Sequence, residues 1–233
     1  KIYIYRYGSL CEPDIIDAFK HIGLEVYEEN AEVYNKNMLP SQAASIASAT
    51  LAKEKYAFAF TINFFPWLSD VCQLLNITYI SLIVDSPVLE LYSNAISNSV
   101  NKIFLFDKML FNEFKQYNKE HIFHIPLAAN TSRTDELISH ASDSDKKKYC
   151  ANVNVNSECS TYQEKCPFNN AVLSDYERGF VDGIINSQLE IYGFNFIESM
   201  LTDEMADRLL AKIPDHYVFP ASFRANNKAL VAQ

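Results

Sequence analysis

The sequence predicts an α/β fold in which a doubly wound, Rossmann-like parallel sheet is followed by a mainly helical C-terminal segment. Three observations predict it. Short apolar segments recur through the first 130 residues, segments with helical spacing separate them, and an Asn-rich polar stretch ends the alternation after Ala129. Strands that are apolar throughout are buried on both faces, and in a parallel sheet the intervening helices cover them.

Six segments have the character of buried strands, and helical segments connect them. The predicted strands are 2–5, 24–27, 56–62, 79–84, 102–106 and 121–125. The predicted helices are 13–22, 40–55, 66–75, 88–96 and 109–117. The first helix shows the clearest signals, because Pro13 suits a first turn, Gly23 suits a helix end, and apolar residues between them form one stripe.

The change in composition predicts the domain organisation. We expect a Rossmann-like domain over residues 1–130, a linker or irregular segment over 131–170, and a helical segment over 171–233. The stretch SHASDSDKKKY has the composition of a linker. Helical patterning resumes at Asp175, and a further helix over 203–213 ends before Pro214. This helical segment is the expected start of a second domain.

Charge and cysteine content restrict the function classes. The net charge is −9, from 20 basic and 29 acidic residues, which argues against a nucleic-acid binder and against docking on anionic membranes. No apolar run approaches the ~20 residues of a membrane span. Cys150, Cys159 and Cys166 cluster without metal-ligand spacing and without a nearby histidine. The pattern favours free thiols in a reducing cytoplasm over a zinc site.

Polar residues and glycines follow several of the predicted strands. In an open parallel sheet, ligands bind beyond the carboxyl ends of the strands, where the strand order reverses. The candidate binding residues are therefore Gly8, Ser9, Asn63, Asp85, Ser86, Asp107 and Asn130.

Several of these residues have a structural alternative. Asp85 and Ser86, in the stretch SLIVDSPVLELYS, could cap the next helix or belong to a site, and Asp107 suits the N-cap of the following helix. Gly8 could form a plain turn or let the backbone approach a ligand.

Three further side chains also admit two readings. For His124, the sequence favours a hydrogen-bonded core histidine over a catalytic one. For Arg6, the sequence favours an exposed surface charge over a contact for an anionic ligand. Trp67 packs against the sheet or forms a sugar-stacking platform.

Several cofactor and catalytic motifs are absent from the sequence. RYGSLCEP, after the first strand, holds one glycine instead of the G-x-G-x-x-G fingerprint, and the chain has no Walker loop, no G-x-S-x-G elbow and no H-E-x-x-H. A nicotinamide-dependent dehydrogenase and a P-loop NTPase are therefore disfavoured.

An ordered set of phrases resembles one protein family. YRYGSLCEPDIIDAFK, FTINFFPWLSDVC, YISLIVDSPVLELYS, KIFLFDK and IFHIPLAAN, followed by TYQEKCPFNNA and ERGFVDGIINSQLEIYGFNFIE, are similar to the N-terminal half of bacterial glycosyltransferases related to spore-maturation proteins (CgeB-like). The resemblance implies a GT-B enzyme, with an acceptor-binding N-terminal domain and a C-terminal domain that binds a nucleotide-sugar donor without a bound metal or other cofactor.

The resemblance also implies roles and a context. It places Gly8, Ser9, Asn63, Asp85 and Ser86 at the cleft between the domains, with Asp85 as the candidate base that deprotonates a glycan or protein acceptor. Such enzymes build cell-surface or secreted glycans in the bacterial cytosol.

Two departures from the family pattern shape this expectation. CANVNVNSECSTYQEK lacks the glycine turn that opens the second domain, and the sequence ends at Gln233 before most of that domain. We therefore expect an acceptor-side fragment that is inactive alone. The alternative is a non-catalytic α/β module that binds a small molecule or a protein.

Overall fold

The structure of the protein is a computed structural model, and it describes residues 1–86, 88–140, 142, 172–191, 196–212, 228 and 231. The chain divides into two compact units, Lys1–Lys147 and Lys148–Gln233.

The first unit alternates strands and helices. Its strands are β1 (Ile2–Tyr5), β2 (Val26–Glu29), β3 (Ala59–Ile62), β4 (Tyr79–Ile83), β5 (Asn101–Leu105) and β6 (Ile122–His124). Its α-helices are α1 (Glu12–His21), α2 (Ala31–Tyr34), α3 (Pro40–Leu51), α4 (Pro66–Leu75), α5 (Lys108–Phe114) and α6 (Thr131–His140). Short 3₁₀ helices span Leu89–Tyr92, Asn94–Ser97 and Lys115–Tyr117.

The six strands form one parallel sheet in the order β2-β1-β3-β4-β5-β6. The chain moves outward from β1 to β2, returns past β1 to β3, and then continues to β6. This reversal confirms an α/β, Rossmann-like sheet, and it places the switch in strand order between β1 and β3.

The central strands are buried because their side chains are mostly apolar on both faces. All four residues of β1 and of β3 are buried. On one face, Ile15 and Phe19 of α1 pack with Ile4, Phe60 and Ile62. Helix α4 contacts β4, and α5 contacts β5 and β6. This packing fixes the strands side by side, so that all six end at the same edge of the sheet.

The connection from β4 to β5 differs from its prediction. A single helix was expected over 88–96, whereas two 3₁₀ helices form. Ser93 separates them in an extended conformation, and its hydroxyl accepts a hydrogen bond from the Ala95 amide. The buried Asn101 amide donates to the carbonyls of Ala95 and Ile96. These bonds satisfy the last carbonyls of the segment, which a helix ending at Ile96 would leave without intrahelical partners.

The prediction of irregular structure directly after residue 130 is wrong for α6. Asn130 begins this helix, because its Oδ1 accepts a hydrogen bond from the Arg133 amide at 3.2 Å. The described side chains of α6 are exposed, so its polar composition reflects a solvated helix. The rest of the predicted linker lies largely outside the described residues, as do Cys150, Cys159 and Cys166 and the phrase TYQEKCPFNNA.

In the second unit the described residues include the helices α7 (Asp175–Glu190), α8 (Ile197–Met200) and α9 (Asp203–Leu210). Leu201, Met205 and Leu209 form a buried cluster, against which Phe180 and Ile197 pack. The predicted end of the last helix at Pro214 lies outside the described residues. Across the described ranges, no helix combines the length and apolar character needed to cross a membrane.

A buried carboxylate links two helices of this unit. Glu177 is 1% exposed. Its carboxylate accepts hydrogen bonds from the Ser174 amide and hydroxyl, both at 2.7 Å. Lys212 and Arg208 pair with the same carboxylate at 2.5 and 3.2 Å. The hydrogen bond from Lys212, together with those from Ser174, lowers the pKa of Glu177 from 4.5 to about 2.

Acid is expected to weaken the second unit through Glu177. Because its pKa is lower in the folded chain than in the unfolded chain, its contribution to stability is complete above pH 4.5 and is lost as the pH falls toward about 2. The difference in unfolding free energy between the wild type and Glu177→Gln should therefore be constant above pH 4.5 and shrink below it. Denaturant titrations followed by far-UV circular dichroism test this, and a pH-independent difference would contradict it.

Candidate functional site

The predicted site residues lie in the loops that follow the strands, here called the carboxyl edge of the sheet. Gly8 and Ser9 follow β1, Asn63 follows β3, and Asp85 and Ser86 follow β4. Because β1, β3 and β4 are parallel neighbours, these loops share one edge. The switch point between β1 and β3 lies among them, where open α/β sheets bind ligands.

Asn63 lies at the centre of this edge and links three loops. Its Nδ2 donates to the Tyr7 hydroxyl at 3.0 Å and to Asp85 Oδ2 at 2.6 Å. Its Oδ1 accepts a hydrogen bond from the Val84 amide at 3.1 Å. The backbone is left-handed, with φ of 55°, a conformation that asparagine adopts more readily than most side chains. Asn63 therefore connects the ends of β1, β3 and β4.

Tyr7 belongs to this cluster, although sequence analysis did not select it. Its hydroxyl bonds Asn63, and its ring lies 5.3 Å from the ring of Phe65. Burial raises the pKa of the Tyr7 hydroxyl, and the charges of Asp85 and Glu12 raise it further. The hydroxyl is thus protonated at neutral pH and acts as a hydrogen-bonding group.

The loop from β1 to α1 is held by hydrogen bonds to the first residue of that helix. Gly8 adopts a φ of 95°, so the chain turns sharply there. Glu12, the first residue of α1, is 1% exposed, and its Oε1 accepts hydrogen bonds from the amides of Tyr7 and Gly8 at 2.9 and 3.0 Å. The Gly8 amide therefore donates its hydrogen bond to Glu12 of the same chain.

Arg6 is not the exposed surface charge that was expected. Its guanidinium pairs with Glu12 at 3.0 Å and with Glu28 at 2.8 Å. The side chain is 22% exposed. Arg6 therefore anchors β1 to α1 and β2.

Asp85 and Ser86 follow β4 and are both exposed. Neither caps the 3₁₀ helix Leu89–Tyr92, whose N-cap is Val88. The Ser86 hydroxyl donates to Asp107 Oδ2 at 2.7 Å. Pro87 lies outside the described residues. The Asp85 carboxylate, held by Asn63, is therefore available to a ligand from the solvent side.

Asp107 fulfils the capping role that its position suggests. Its Oδ1 accepts hydrogen bonds from the amides of Met109 and Leu110, the first at 2.7 Å. It therefore begins α5 and, through Ser86, joins the loop after β5 to the loop after β4.

An aromatic group borders the cluster. We define the aromatic shelf as Tyr7, Phe65 and Trp67, which are all partly exposed. The rings of Phe65 and Trp67 lie 5.9 Å apart, and Trp67 also meets the buried Tyr5 edge-on at 4.8 Å. Trp67 thus packs against the sheet and still presents surface at its carboxyl edge.

Two candidates lie apart from the cluster. Asn130 donates to Asp14 of α1 at 3.2 Å and begins α6. His124 is exposed, and one of its ring nitrogens bonds the Phe106 carbonyl at 3.1 Å. The reading of His124 as a core histidine is therefore wrong, because its side chain projects from the last residue of the edge strand β6.

The edge has one further acidic group close to Asp85. Glu90 is exposed, and partial desolvation by its neighbours, together with the charge of Asp85, raises its pKa. Within the described ranges, no group of three or more His, Cys, Asp or Glu side chains is arranged to hold a metal ion. What the edge offers is a carboxylate fixed by an amide, neighbouring hydroxyls and an aromatic surface.

The chain was compared with protein-family models, curated proteins and solved structures. No protein-family model matches the chain, no curated protein matches it, and no solved structure matches it.

Proposed function

We propose that this chain is the acceptor-binding part of a GT-B-like glycosyltransferase, similar to the bacterial spore-maturation-protein-like enzymes, that transfers a sugar from a nucleotide sugar to a glycan or protein. The observation that carries the proposal is the exposed Asp85 carboxylate, held 2.6 Å from Asn63 at the switch point of the sheet. The ordered sequence phrases described above support the same assignment.

The chemistry of this edge suits a saccharide. Sugar hydroxyls donate hydrogen bonds to carboxylates, and they both donate to and accept from amides and hydroxyls. The Asn63 amide, with the Tyr7 hydroxyl and the Asp85 carboxylate beside it, offers all three kinds of group. Sugar rings also present apolar C–H faces, which the aromatic shelf can cover. Binding sites commonly combine aromatic surface with a few oriented polar groups in this way.

Asp85 is the proposed general base of the transfer. Its carboxylate would take the proton of the acceptor hydroxyl while that oxygen bonds the anomeric carbon and the nucleoside diphosphate leaves with the electron pair of its bond. The anomeric centre is oxocarbenium-like at this stage. The Asn63 amide orients the carboxylate, since it donates to Oδ2. A second domain would bind the nucleotide sugar.

The experiment is a transfer assay with the complete product of the gene. Candidate nucleotide sugars and saccharide acceptors are supplied together, and released nucleoside diphosphate and elongated acceptor are measured. We expect both products to appear in equal amounts with at least one donor. Saccharide binding without any transfer would contradict the enzyme and support a non-catalytic binding module.

A further inference from the structure

The loop between the first strand and the first helix is where many α/β proteins bind phosphate. Backbone amides of that loop and the positive end of the helix dipole together favour an anion. In this chain the corresponding donors are the amides of Tyr7 and Gly8, and both point at the Glu12 carboxylate. The position that a phosphate would take is therefore filled by a side chain of the protein.

The filled position is built into the core. Glu12 is 1% exposed, and its second oxygen accepts a hydrogen bond from Arg6 Nε at 3.0 Å. The other described contact of the Arg6 side chain is with Glu28 at 2.8 Å. The cation that could have supported a phosphate is thus neutralised by two carboxylates of the same fold.

Another cation near the loop is also engaged. The Lys36 amine donates to the Tyr7 carbonyl, and a Cβ added at Gly8 would lie 2.8 Å from Lys36 Nζ. Lys36 Nζ therefore lies beside Gly8, and both residues are exposed. The exposed group nearest to Asn63 is instead the Asp85 carboxylate, which repels an anion.

From these contacts we infer that the carboxyl edge excludes phosphate groups, because Glu12 occupies the anion position, and that its ligand is an uncharged or amine-bearing saccharide. The choice of a saccharide rests on the proposed function, whereas the exclusion of phosphate rests on the contacts of Glu12 with the Tyr7 and Gly8 amides and with Arg6. In the complete enzyme the acceptor would then bind at this edge, and the diphosphate of the donor would bind elsewhere.

The first test measures backbone amide resonances while inorganic pyrophosphate is added, with sodium chloride of equal ionic strength as the control. In the wild-type chain we expect the Tyr7 and Gly8 amides to stay unmoved. In Glu12→Ala, where two amides are released and Arg6 keeps only Glu28 of its two carboxylate partners, we expect the same resonances to shift saturably. Glu120→Ala, an exposed change before β6, should behave like the wild type.

Two results would overturn the exclusion of phosphate. One is a saturable shift at Tyr7 or Gly8 in the wild-type chain, and the other is a folded Glu12→Ala that still ignores pyrophosphate. If Glu12→Ala does not fold, hydrogen exchange of the wild type decides. Amides bonded to buried Glu12 should exchange slowly, and exchange at the rate of an open loop would contradict the inference.

The ligand class is tested with glucosamine, N-acetylglucosamine and glucosamine 6-phosphate, followed at the side-chain amide of Asn63. We expect at least one unphosphorylated sugar to shift this resonance and the phosphorylated sugar to bind more weakly. Tighter binding of the phosphorylated sugar would overturn the inference. If no sugar moves Asn63, the ligand class fails, while the Glu12 result stands by itself; the proposed function fails separately, when the transfer assay yields no product.

Discussion

Asp85→Asn is expected to lower the rate of sugar transfer by the complete enzyme by about 10²–10⁴-fold, the usual contribution of a general base. An asparagine keeps the size of the side chain and an oxygen that can accept from Asn63, so the loop should keep its shape. It cannot take a proton from an acceptor hydroxyl. We therefore expect kcat to fall while the affinity for the acceptor changes little, and steady-state kinetics with varied acceptor measures both.

A neutral control is available on another loop. Glu120 is exposed and precedes β6, so it lies at the amino end of the strands. Glu120→Gln removes one negative charge, as Asp85→Asn does, and should leave the rate unchanged. Equal rates for Asp85→Asn and the wild type would remove Asp85 from the mechanism.

Substitutions of Asn63 are expected to separate the stability that its hydrogen bonds contribute from the strain of its backbone conformation. Asn63→Gly tolerates the φ of 55° but loses the bonds to Tyr7, Asp85 and the Val84 amide, and it should cost about 2 kcal/mol of unfolding free energy. Asn63→Ala loses the same bonds and adds left-handed strain, so its cost should be larger by about 1 kcal/mol. Urea titrations followed by the fluorescence of Trp67, the only tryptophan in the sequence, measure both changes.

Asn76 provides the matched control for these variants. It has a φ of 53° and ends α4, at the opposite edge of the sheet. A glycine suits such a helix end, so Asn76→Gly should change stability little, whereas Asn76→Ala should show the strain alone. If Asn63→Gly were as mild as Asn76→Gly, the hydrogen bonds of Asn63 would not hold the three loops together.

The layers of the fold could be predicted because they depend on local patterns. Apolar runs such as 79–84 are buried wherever they pair, and Pro66 to Leu75 has the spacing of an amphipathic helix, which forms as predicted. The segment 88–96 does not form the predicted single helix, because Ser93 is extended and its hydroxyl caps a second 3₁₀ helix. The bonds from Asn101 to the carbonyls of Ala95 and Ile96 depend on where β5 lies, which the local pattern does not encode.

The sequence predicts which residues lie at the candidate site, but it does not predict which of them form hydrogen bonds with one another. Parallel strands bring the residues after them to one edge, which placed Asn63 and Asp85 correctly near each other. The roles of Tyr7 and Glu12 depend on strand register and on the turn at Gly8, and composition does not encode these. One signal was present, since an acidic residue four positions after a glycine turn, at the start of a helix, can reach back to the amides of that turn.

The most direct test of the central claim is the chemical shift of the Asn63 side-chain amide while saccharides are titrated into the protein. A ligand that binds at the switch point must disturb the bonds that this amide makes to Tyr7 and Asp85. We predict a saturable shift at Asn63, with smaller changes at the aromatic shelf. Saturable shifts confined to the opposite edge, around Asn76, would show that the ligand binds elsewhere and would contradict the account.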